Sequence, residues 1–304
     1  MVVALADTTK IGQLPDESRA KIVRIGSSVG MIGSEEHGKA AIRVISSETV
    51  QEPTLFDGKL VDITIAHDSA AAVFSNQHPD GGVIFNLWIW TPTAGWRDDG
   101  LIPALSVTSL FLVKTHLWAL GAETLLMRQL DDQTWNTMAS PLSRPIDWTR
   151  DRLMSPDGEL LVLGSNEGLF TYRGDEKWGN RPVDGAHVRA MEGSLIAAID
   201  HDGKAKVGLV EGPFVNWLLK MKRKCDPIEL TCASGPKPAF QMSASTHHTE
   251  KAPGALRITV TPGEGITSSR FLVPGYPPRI ALHGSDQILA VNLSGGIYQT
   301  TPEP

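Results

Sequence analysis

IDWTRDRLMSPDGELLVLGSNEGLFTYRGDEKWGNRPVD is the sequence of residues 146–184, and short apolar segments alternate in it with turn residues. The predicted strands cover residues 146–151, 159–164 and 168–173, and a fourth begins at Trp178. A turn is predicted at residues 155–158, because proline presets φ, aspartate bonds its own backbone and glycine takes the left-handed position. We therefore expect this stretch to form a unit of four strands.

The first strand of this unit recurs along the chain at nearly constant spacing. One marker for each copy gives the series Arg24, Ile65, Val107, Thr149, Arg189, Leu230 and Leu282. The steps between them are 41, 42, 42, 40, 41 and 52 residues. A period of this size with four strands in each repeat is typical of a β-propeller. We predict an all-β protein with one seven-bladed β-propeller of four-stranded blades, and six blades as the alternative.

The repeat spans the chain of 304 residues, which predicts one domain rather than two. The predicted blades cover residues 18–59, 60–100, 101–142, 143–184, 185–225, 226–276, and 277–304 together with 1–17. The last blade has no outer strand of its own before Pro304, so we expect an N-terminal strand, residues 2–5, to close the ring and cover an open edge. The long step falls in the sixth blade, where residues 243–254 are predicted to form an enlarged, functional loop.

Four tryptophans, Trp96, Trp135, Trp178 and Trp217, follow one another at steps of 39, 43 and 39 residues. They are either platforms on which sugars stack or packing residues of the outer strands. The blade that contains Leu117-Trp118-Ala119-Leu120-Gly121 and Trp135 resembles the tectonin-type lectin repeat, and the one that ends in Trp96 is similar to blades of fungal fucose-binding propellers. These resemblances imply glycan recognition, with Trp96 and Trp135 as ligand-binding residues.

Polar residues are concentrated on the predicted inner strands, which line the axial channel of a propeller. Histidine suits acid or base catalysis near neutral pH, arginine stabilises an anionic oxygen, and aspartate orients an imidazole. The candidate catalytic residues are His67, Asp68, His187, Arg189 and His283. The candidate ligand-binding residues beside them are Arg24, Asp147, Arg150 and Arg279. The alternative is that these side chains join neighbouring blades through hydrogen bonds.

Composition and missing motifs exclude several classes of function. The net charge of −6 argues against nucleic acid as a partner, although residues 220–224 form a local basic run. No apolar stretch is long enough to cross a bilayer and the N-terminus does not resemble a secretion signal, so we expect a cytoplasmic protein without a membrane partner. Cys225 and Cys232 alone cannot form a standard zinc site. Phosphate-binding loops and hydrolase motifs are missing from the sequence, and we expect neither a metal nor a cofactor.

Three functions remain open on the sequence alone. The first hypothesis is a propeller that binds one small organic ligand at the channel mouth as a cofactor-independent lyase, cyclase or isomerase. The second is a lectin-like module that binds a glycan, and the third is a protein-interaction scaffold. The sequence leaves the oligomeric state open.

Overall fold

The computed structural model describes the chain outside certain segments. These are residues 1–2, 7, 17, 27, 47–48, 67, 122–123, 148–150, 155–160, 174–176, 185, 193–194, 212–213, 225, 234–238, 246–254, 262–264, 272–278, 284–286, 293 and 301–304. Every regular element among the described residues is a β-strand. The same part of the chain contains no helix that is long and apolar enough to cross a membrane.

The strands are short, as the alternation of apolar segments and turns predicts. In chain order they are β1 (Val3–Ala6), β2 (Thr8–Gln13), β3 (Ile22–Ile25), β4 (Gly30–Glu36), β5 (Lys39–Ser46), β6 (Thr49–Val50), β7 (Thr54–Phe56), β8 (Lys59–Ala66), β9 (Ser69–Gln77), β10 (Val83–Thr91), β11 (Gly95–Ile102), β12 (Ser109–Val113), β13 (His116–Leu120), β14 (Leu125–Gln129), β15 (Asn136–Met138), β16 (Arg152–Met154), β17 (Val162–Gly164), β18 (Leu169–Tyr172), β19 (Trp178–Arg181), β20 (His187–Glu192), β21 (Leu195–Ile199), β22 (Lys204–Glu211), β23 (Phe214–Lys224), β24 (Asp226–Ala233), β25 (Ala239–Ser245), β26 (Ala255–Thr261), β27 (Gly265–Phe271), β28 (Arg279–His283), β29 (Gln287–Val291) and β30 (Gly296–Thr300).

The described strands form seven sheets, and each sheet is one blade. Blade 1 contains β3 to β7, blade 2 β8 to β11, blade 3 β12 to β15, blade 4 β16 to β19, blade 5 β20 to β23, blade 6 β24 to β27 with β1, and blade 7 β28 to β30 with β2. Inner strands of neighbouring blades contact each other from blade 1 to blade 3 and from blade 4 to blade 7, and β28 of blade 7 contacts β3 of blade 1. A shared apolar cluster joins blades 3 and 4. The predicted all-β propeller is confirmed, and seven sheets fit the predicted number of blades.

Antiparallel pairing within each blade gives the propeller two distinct faces. We call the end with the turns between second and third strands the upper face; it also carries the connections from one blade to the next. The opposite end, with the remaining turns, is the lower face. Two hydrogen bonds show that the inner strands β8 and β12 run in the same direction. Leu110 N donates to Asp62 Oδ2 and Leu112 N donates to Thr64 Oγ1, at the same sequence separation.

The core lies between the blades and follows the period-two alternation of a strand. In β9, the buried side chains of Ala72 and Phe74 pack with blade 1, whereas Ala71 and Val73 pack with blade 3. Similar clusters join blades 3 and 4, blades 4 and 5, and blades 7 and 1. The second strand of a blade is buried on both sides. Its sequence is therefore a continuous apolar run instead of an alternation of apolar and polar residues.

The N-terminal closure differs from the expected one in its strand. Residues 2–5 were expected to complete the last blade, but β2 (Thr8–Gln13) pairs antiparallel with β30 and does so instead. The strand β1 (Val3–Ala6) pairs parallel with β27 on the outside of blade 6. An outermost strand buries only one side, so the mixed polar sequence of β2, with Ile11 packed near Val50, is sufficient to close the sheet.

The described inner strand of blade 4 is β16 (Arg152–Met154). Of the residues predicted to form this strand, 146, 147 and 151 are described and lie outside it, and 148–150 lie outside the described residues. Arg144 donates to both carboxylate oxygens of Asp151 at 2.8 Å, and Asp151 accepts from the backbone N–H of Asp147 at 2.7 Å. A carboxylate that accepts local bonds of this kind competes with strand pairing, which agrees with the position of Asp147 and Asp151 outside β16.

Candidate functional site

A depression of about 480 Å³ opens on the upper face between blades 1 and 2. Its sides come from the turn between β4 and β5, the connection between β7 and β8, and the ends of β9 and β10. A second depression of about 390 Å³ lies toward the connection that leads into blade 1. Lys21, Glu35 and Gly38 border both depressions. Because they share these residues, the two depressions adjoin, and we call them together the upper trough.

An ion pair divides the upper trough. Lys21 Nζ lies 2.5 Å from Glu35 Oε2, and about half of each side chain is exposed. The hydrogen bond and charge of Lys21 lower the pKa of Glu35, so Glu35 is ionised at neutral pH. An exposed pair of this kind contributes little to stability, because water competes for both groups. Both charges are therefore accessible to a ligand that crosses the trough.

A buried, hydrogen-bonded ion pair adjoins Lys21 and Glu35. Arg43 Nη2 donates to Glu36 Oε2 at 2.9 Å, and Ser34 Oγ donates to Glu36 Oε1 at 2.8 Å. All three side chains are buried. Burial opposes ionisation of Glu36, but the hydrogen bonds from Arg43 and Ser34 outweigh it and lower the pKa of Glu36. The paired charges fix the end of β4, which carries Glu35 to the trough.

Glycines determine the shape of the trough at two turns. Gly58 has a φ of 93°, and a Cβ atom there would lie 2.3 Å from Asn76 Oδ1. Gly38 has a φ of 76°, with no atom near the position of its missing Cβ. Both conformations are easy only for glycine. A side chain at Gly58 would collide with the wall, and one at Gly38 would project into open space between the depressions.

Amide and hydroxyl groups line the side of the trough formed by blade 2. Asn76 Nδ2 donates to Asn86 Oδ1 at 2.8 Å, which fixes the orientation of the Asn76 amide. Ser75 and Gln77 stand beside Asn76 on β9, and Lys59 adds a positive charge. The trough thus offers hydrogen-bond donors and acceptors together with charges of both signs. Such a surface can pair with a peptide backbone, which presents N–H and C=O groups in alternation.

The predicted polar residues that the structure describes lie toward both faces of the propeller. Asp68 lies on the lower face, where Ser28 Oγ donates to its carboxylate. Asp147 and His187 lie at the upper ends of blades 4 and 5, and Arg189 is further along β20. Arg279 begins β28 and His283 ends it, so they lie toward opposite faces. His67 and Arg150 lie outside the described residues, as does most of the predicted enlarged loop, residues 246–254.

Arg24 links blades instead of standing free in the channel. Its Nη2 donates to Asp62 Oδ1 at 3.1 Å, and its Nε donates to the carbonyl oxygen of Ile63 at 3.0 Å. This geometry agrees with the structural alternative, in which polar inner-strand residues join neighbouring blades. Asp62 itself was missed from the sequence. A signal was present, because Asp62 and Thr64 occupy alternate positions in residues 60–66, which are otherwise apolar, and therefore share one side of the strand.

Trp96 and Trp135 contact neighbouring protein groups. The ring of Trp96 meets that of Phe56 in blade 1 edge to face, with centroids 5.4 Å apart. Trp135 packs partly buried at the interface of blades 2 and 3, with the guanidinium of Arg128 5.2 Å from its ring centroid. Both arrangements correspond to the packing alternative for the spaced tryptophans.

Metal binding finds no support in the described residues. No cluster of three or more histidine, cysteine, aspartate or glutamate side chains there could hold an ion.

Comparison with known proteins places the chain by fold alone. No family model matches it, and no curated protein matches its sequence. Solved structures do match, among them YCF48 bound to D1 peptide, with 14% identity, a TM-score of 0.64, and coverage of 99% of this chain and 100% of the other. YCF48 from Cyanidioschyzon merolae has 11% identity and a TM-score of 0.62 over 98% of this chain and 99% of its own.

The β-propeller domain of Cps50 (Swd1) from Myceliophteria thermophila is similar as well. It has 12% identity and a TM-score of 0.63 over 98% of this chain and 99% of its own. Identities this low establish a shared fold and no more. The chain is a β-propeller.

Proposed function

We propose that this protein is an interaction propeller that binds an extended peptide segment of a partner protein in the upper trough. The observation that carries the proposal is the trough itself, two adjoining depressions that share the accessible Lys21 and Glu35. This proposal follows the scaffold alternative from the sequence rather than the small-molecule or lectin hypotheses.

The chemistry of the trough favours a peptide over a compact small molecule. A small-molecule site is usually concave and mostly apolar, with a few convergent polar groups. The upper trough is open, and amides, hydroxyls and charges of both signs line it beside the apolar Ala40, Leu60 and Val83. Lys21 can bind an acidic side chain or a carbonyl group, and Glu35 can accept from a basic side chain or an N–H group. An extended segment presents all of these groups in sequence.

Solved structures of similar fold support this use of a propeller. YCF48 has been solved with a D1 peptide bound. That observation concerns YCF48 and not this chain, and the low sequence identity transfers no residue. It supports the proposal only by showing that a propeller of this overall shape can carry a peptide.

Peptide display against the full chain tests the proposal. Peptides of about ten residues are selected from a random library, a length typical of a bound strand. Their affinities are then measured by fluorescence anisotropy for the parent protein, Lys21→Glu and Glu35→Lys. Each charge reversal is expected to weaken binding about tenfold or more, because it removes one partner and adds a repulsive charge.

A matched control is available on the same blade. Lys39 and Asp57 also form an exposed ion pair, 3.0 Å apart, and neither residue lines either depression. The Lys39→Glu variant is expected to bind the selected peptides within about twofold of the parent. Selection of no peptide at all, or of peptides that bind Lys21→Glu and Glu35→Lys as tightly as the parent, would overturn the proposal.

A further inference from the structure

The outermost strand of blade 5 differs from the other outer strands of the propeller. At 11 residues, β23 is longer than any other described strand. It is the last strand in its sheet, and no described strand pairs with its outer edge. Its backbone N–H and C=O groups on that side are therefore available to another strand. This edge is far from the upper trough and independent of it.

An outer blade edge of this chain already accepts an added strand. In blade 6, β1 pairs with the outer edge of β27 in parallel over four residues, from Val3↔Ser268 to Ala6↔Phe271. A fifth strand on a propeller blade is thus compatible with the geometry of this molecule. Blade 5 presents an equivalent edge without an added strand from the described part of the chain.

Basic residues accumulate on the last two strands of blade 5, although the chain as a whole has a net charge of −6. Lys206 pairs directly with Lys220, and Lys204 pairs with Lys224. Like charges directly opposite each other on neighbouring strands are destabilising. Asp200 accepts from Lys220 at 2.7 Å and so offsets part of this repulsion. Lys222 and Arg223 add two further positive charges to the same strand.

Exposed apolar side chains precede this basic end. Phe214 is 75% exposed and Leu218, four residues later, is 36% exposed. A register shift between Trp217 and Leu219 leaves Leu218 opposite no single residue of β22, and both Phe214 and Leu218 stay exposed along the same strand. Natural edges are usually protected by lysines and bulges, and β23 has register shifts of this kind. Protection of the edge against unwanted strand pairing does not explain why a phenylalanine is exposed on the same strand.

We infer that the outer edge of β23 binds an extended acidic segment of a protein partner by strand addition. The backbone of the segment pairs with β23, its apolar side chains cover Phe214 and Leu218, and its carboxylates approach the basic end of the strand. Main-chain bonds supply affinity in this mode of binding, and the side chains supply specificity. The negative charge of the partner relieves the repulsion between the paired lysines.

Synthetic peptides test this inference with the full chain. The probe is a peptide of about ten residues in which valine alternates with glutamate, and the comparison is the same peptide with lysine in place of glutamate. Binding is measured by anisotropy. The glutamate peptide is expected to bind about tenfold or more tightly than the lysine peptide, and to weaken as salt rises from about 0.05 M to about 0.5 M.

Protein variants locate the site. The double variant Lys222→Glu/Lys224→Glu is expected to weaken binding of the glutamate peptide about tenfold, and Phe214→Ser about threefold to tenfold. The matched controls are Leu101→Ser, which changes another exposed leucine on an outer strand, and Lys39→Glu. Both controls are expected to stay within about twofold of the parent. Thermal unfolding verifies that each variant is folded. If the double variant does not fold, Phe214→Ser still tests the site.

The remaining comparisons address the mode of binding and the class of partner. N-methylation at alternate residues of the glutamate peptide removes backbone donors and is expected to abolish binding. Equal binding of the methylated peptide, or unchanged binding by both Phe214→Ser and the double variant, would overturn the inference. A third outcome would also overturn the inference. In it, the glutamate peptide does not bind, whereas oligothymidylate or anionic phosphatidylserine vesicles bind to the parent and not to these variants.

Discussion

Asp62 receives the guanidinium of Arg24 across the boundary between blades 1 and 2, with Nη2 3.1 Å from Oδ1. The same carboxylate accepts from the backbone N–H of Leu110 in blade 3 at 2.9 Å. One buried side chain therefore joins the inner strands of three consecutive blades. Burial is the largest influence on this carboxyl, and it raises the pKa of Asp62 despite the opposing charge of Arg24 and the backbone donors.

Replacement of Asp62 tests its role as a link between blades. Asp62→Ala is expected to lower the free energy of unfolding by about 2–4 kcal/mol, because it leaves a buried N–H group and a guanidinium without their acceptor. Asp62→Asn retains one acceptor oxygen and is expected to cost less. Urea unfolding followed by tryptophan fluorescence measures both. The exposed Asp57 provides the control, and Asp57→Asn is expected to change stability by less than about 0.5 kcal/mol.

The raised pKa of Asp62 predicts a specific dependence of stability on pH. The folded protein binds this proton more tightly than the unfolded chain, whose Asp62 has its ordinary pKa of 3.8. The resulting stabilisation is fully present below that value and is lost as pH rises through the raised folded value. The difference in unfolding free energy between the parent and Asp62→Asn should therefore shift in favour of the parent as the solution is acidified. A shift in the opposite direction would show that Arg24 outweighs burial.

The sequence predicted the propeller because its inner and second strands repeat with apolar residues at fixed intervals. That repetition reflects packing between blades, which each blade must satisfy in the same way. Polar residues at single positions of a blade are not required by this packing, so they do not repeat from blade to blade. Asp151 accepts from Arg144 and lies outside β16, and nothing in the local strand pattern signals a partner seven residues earlier.

The upper trough was not predictable for a related reason. It is assembled from Lys21 on one interblade connection, Glu35 at the end of β4, and Asn76 on the neighbouring blade. None of these residues belongs to a motif with its own chemistry, and each is common at the end of a strand. Only the closure of the ring and the alternation of strand direction bring them to one face. In contrast, the period of the blades was sufficient to suggest that the spaced tryptophans pack between blades.

Trp96 offers a test that separates packing from glycan binding. Its ring meets Phe56 of the neighbouring blade, so Trp96→Ala is expected to lower the free energy of unfolding by about 2–4 kcal/mol. Trp96→Phe should recover most of this loss, since it retains an aromatic contact with Phe56. Urea unfolding provides the values, and a glycan array on the same three proteins provides the comparison. Glycan binding that Trp96→Ala abolishes without loss of stability would contradict the packing role.

The two N-terminal strands make unequal contributions to closure of the ring, and truncation separates them. Removal of residues 1–6 deletes β1 from the outside of blade 6 and leaves four full strands there, so it is expected to cost at most about 2 kcal/mol. Removal of residues 1–13 also deletes β2, leaves blade 7 with three strands and exposes the partners of Ile11. We expect this protein to lose about 4 kcal/mol or more, or to aggregate through the open edge of β30. Urea unfolding and size-exclusion chromatography distinguish these outcomes. If the shorter truncation alone caused the full loss, β1 rather than β2 would be the strand that closes the ring.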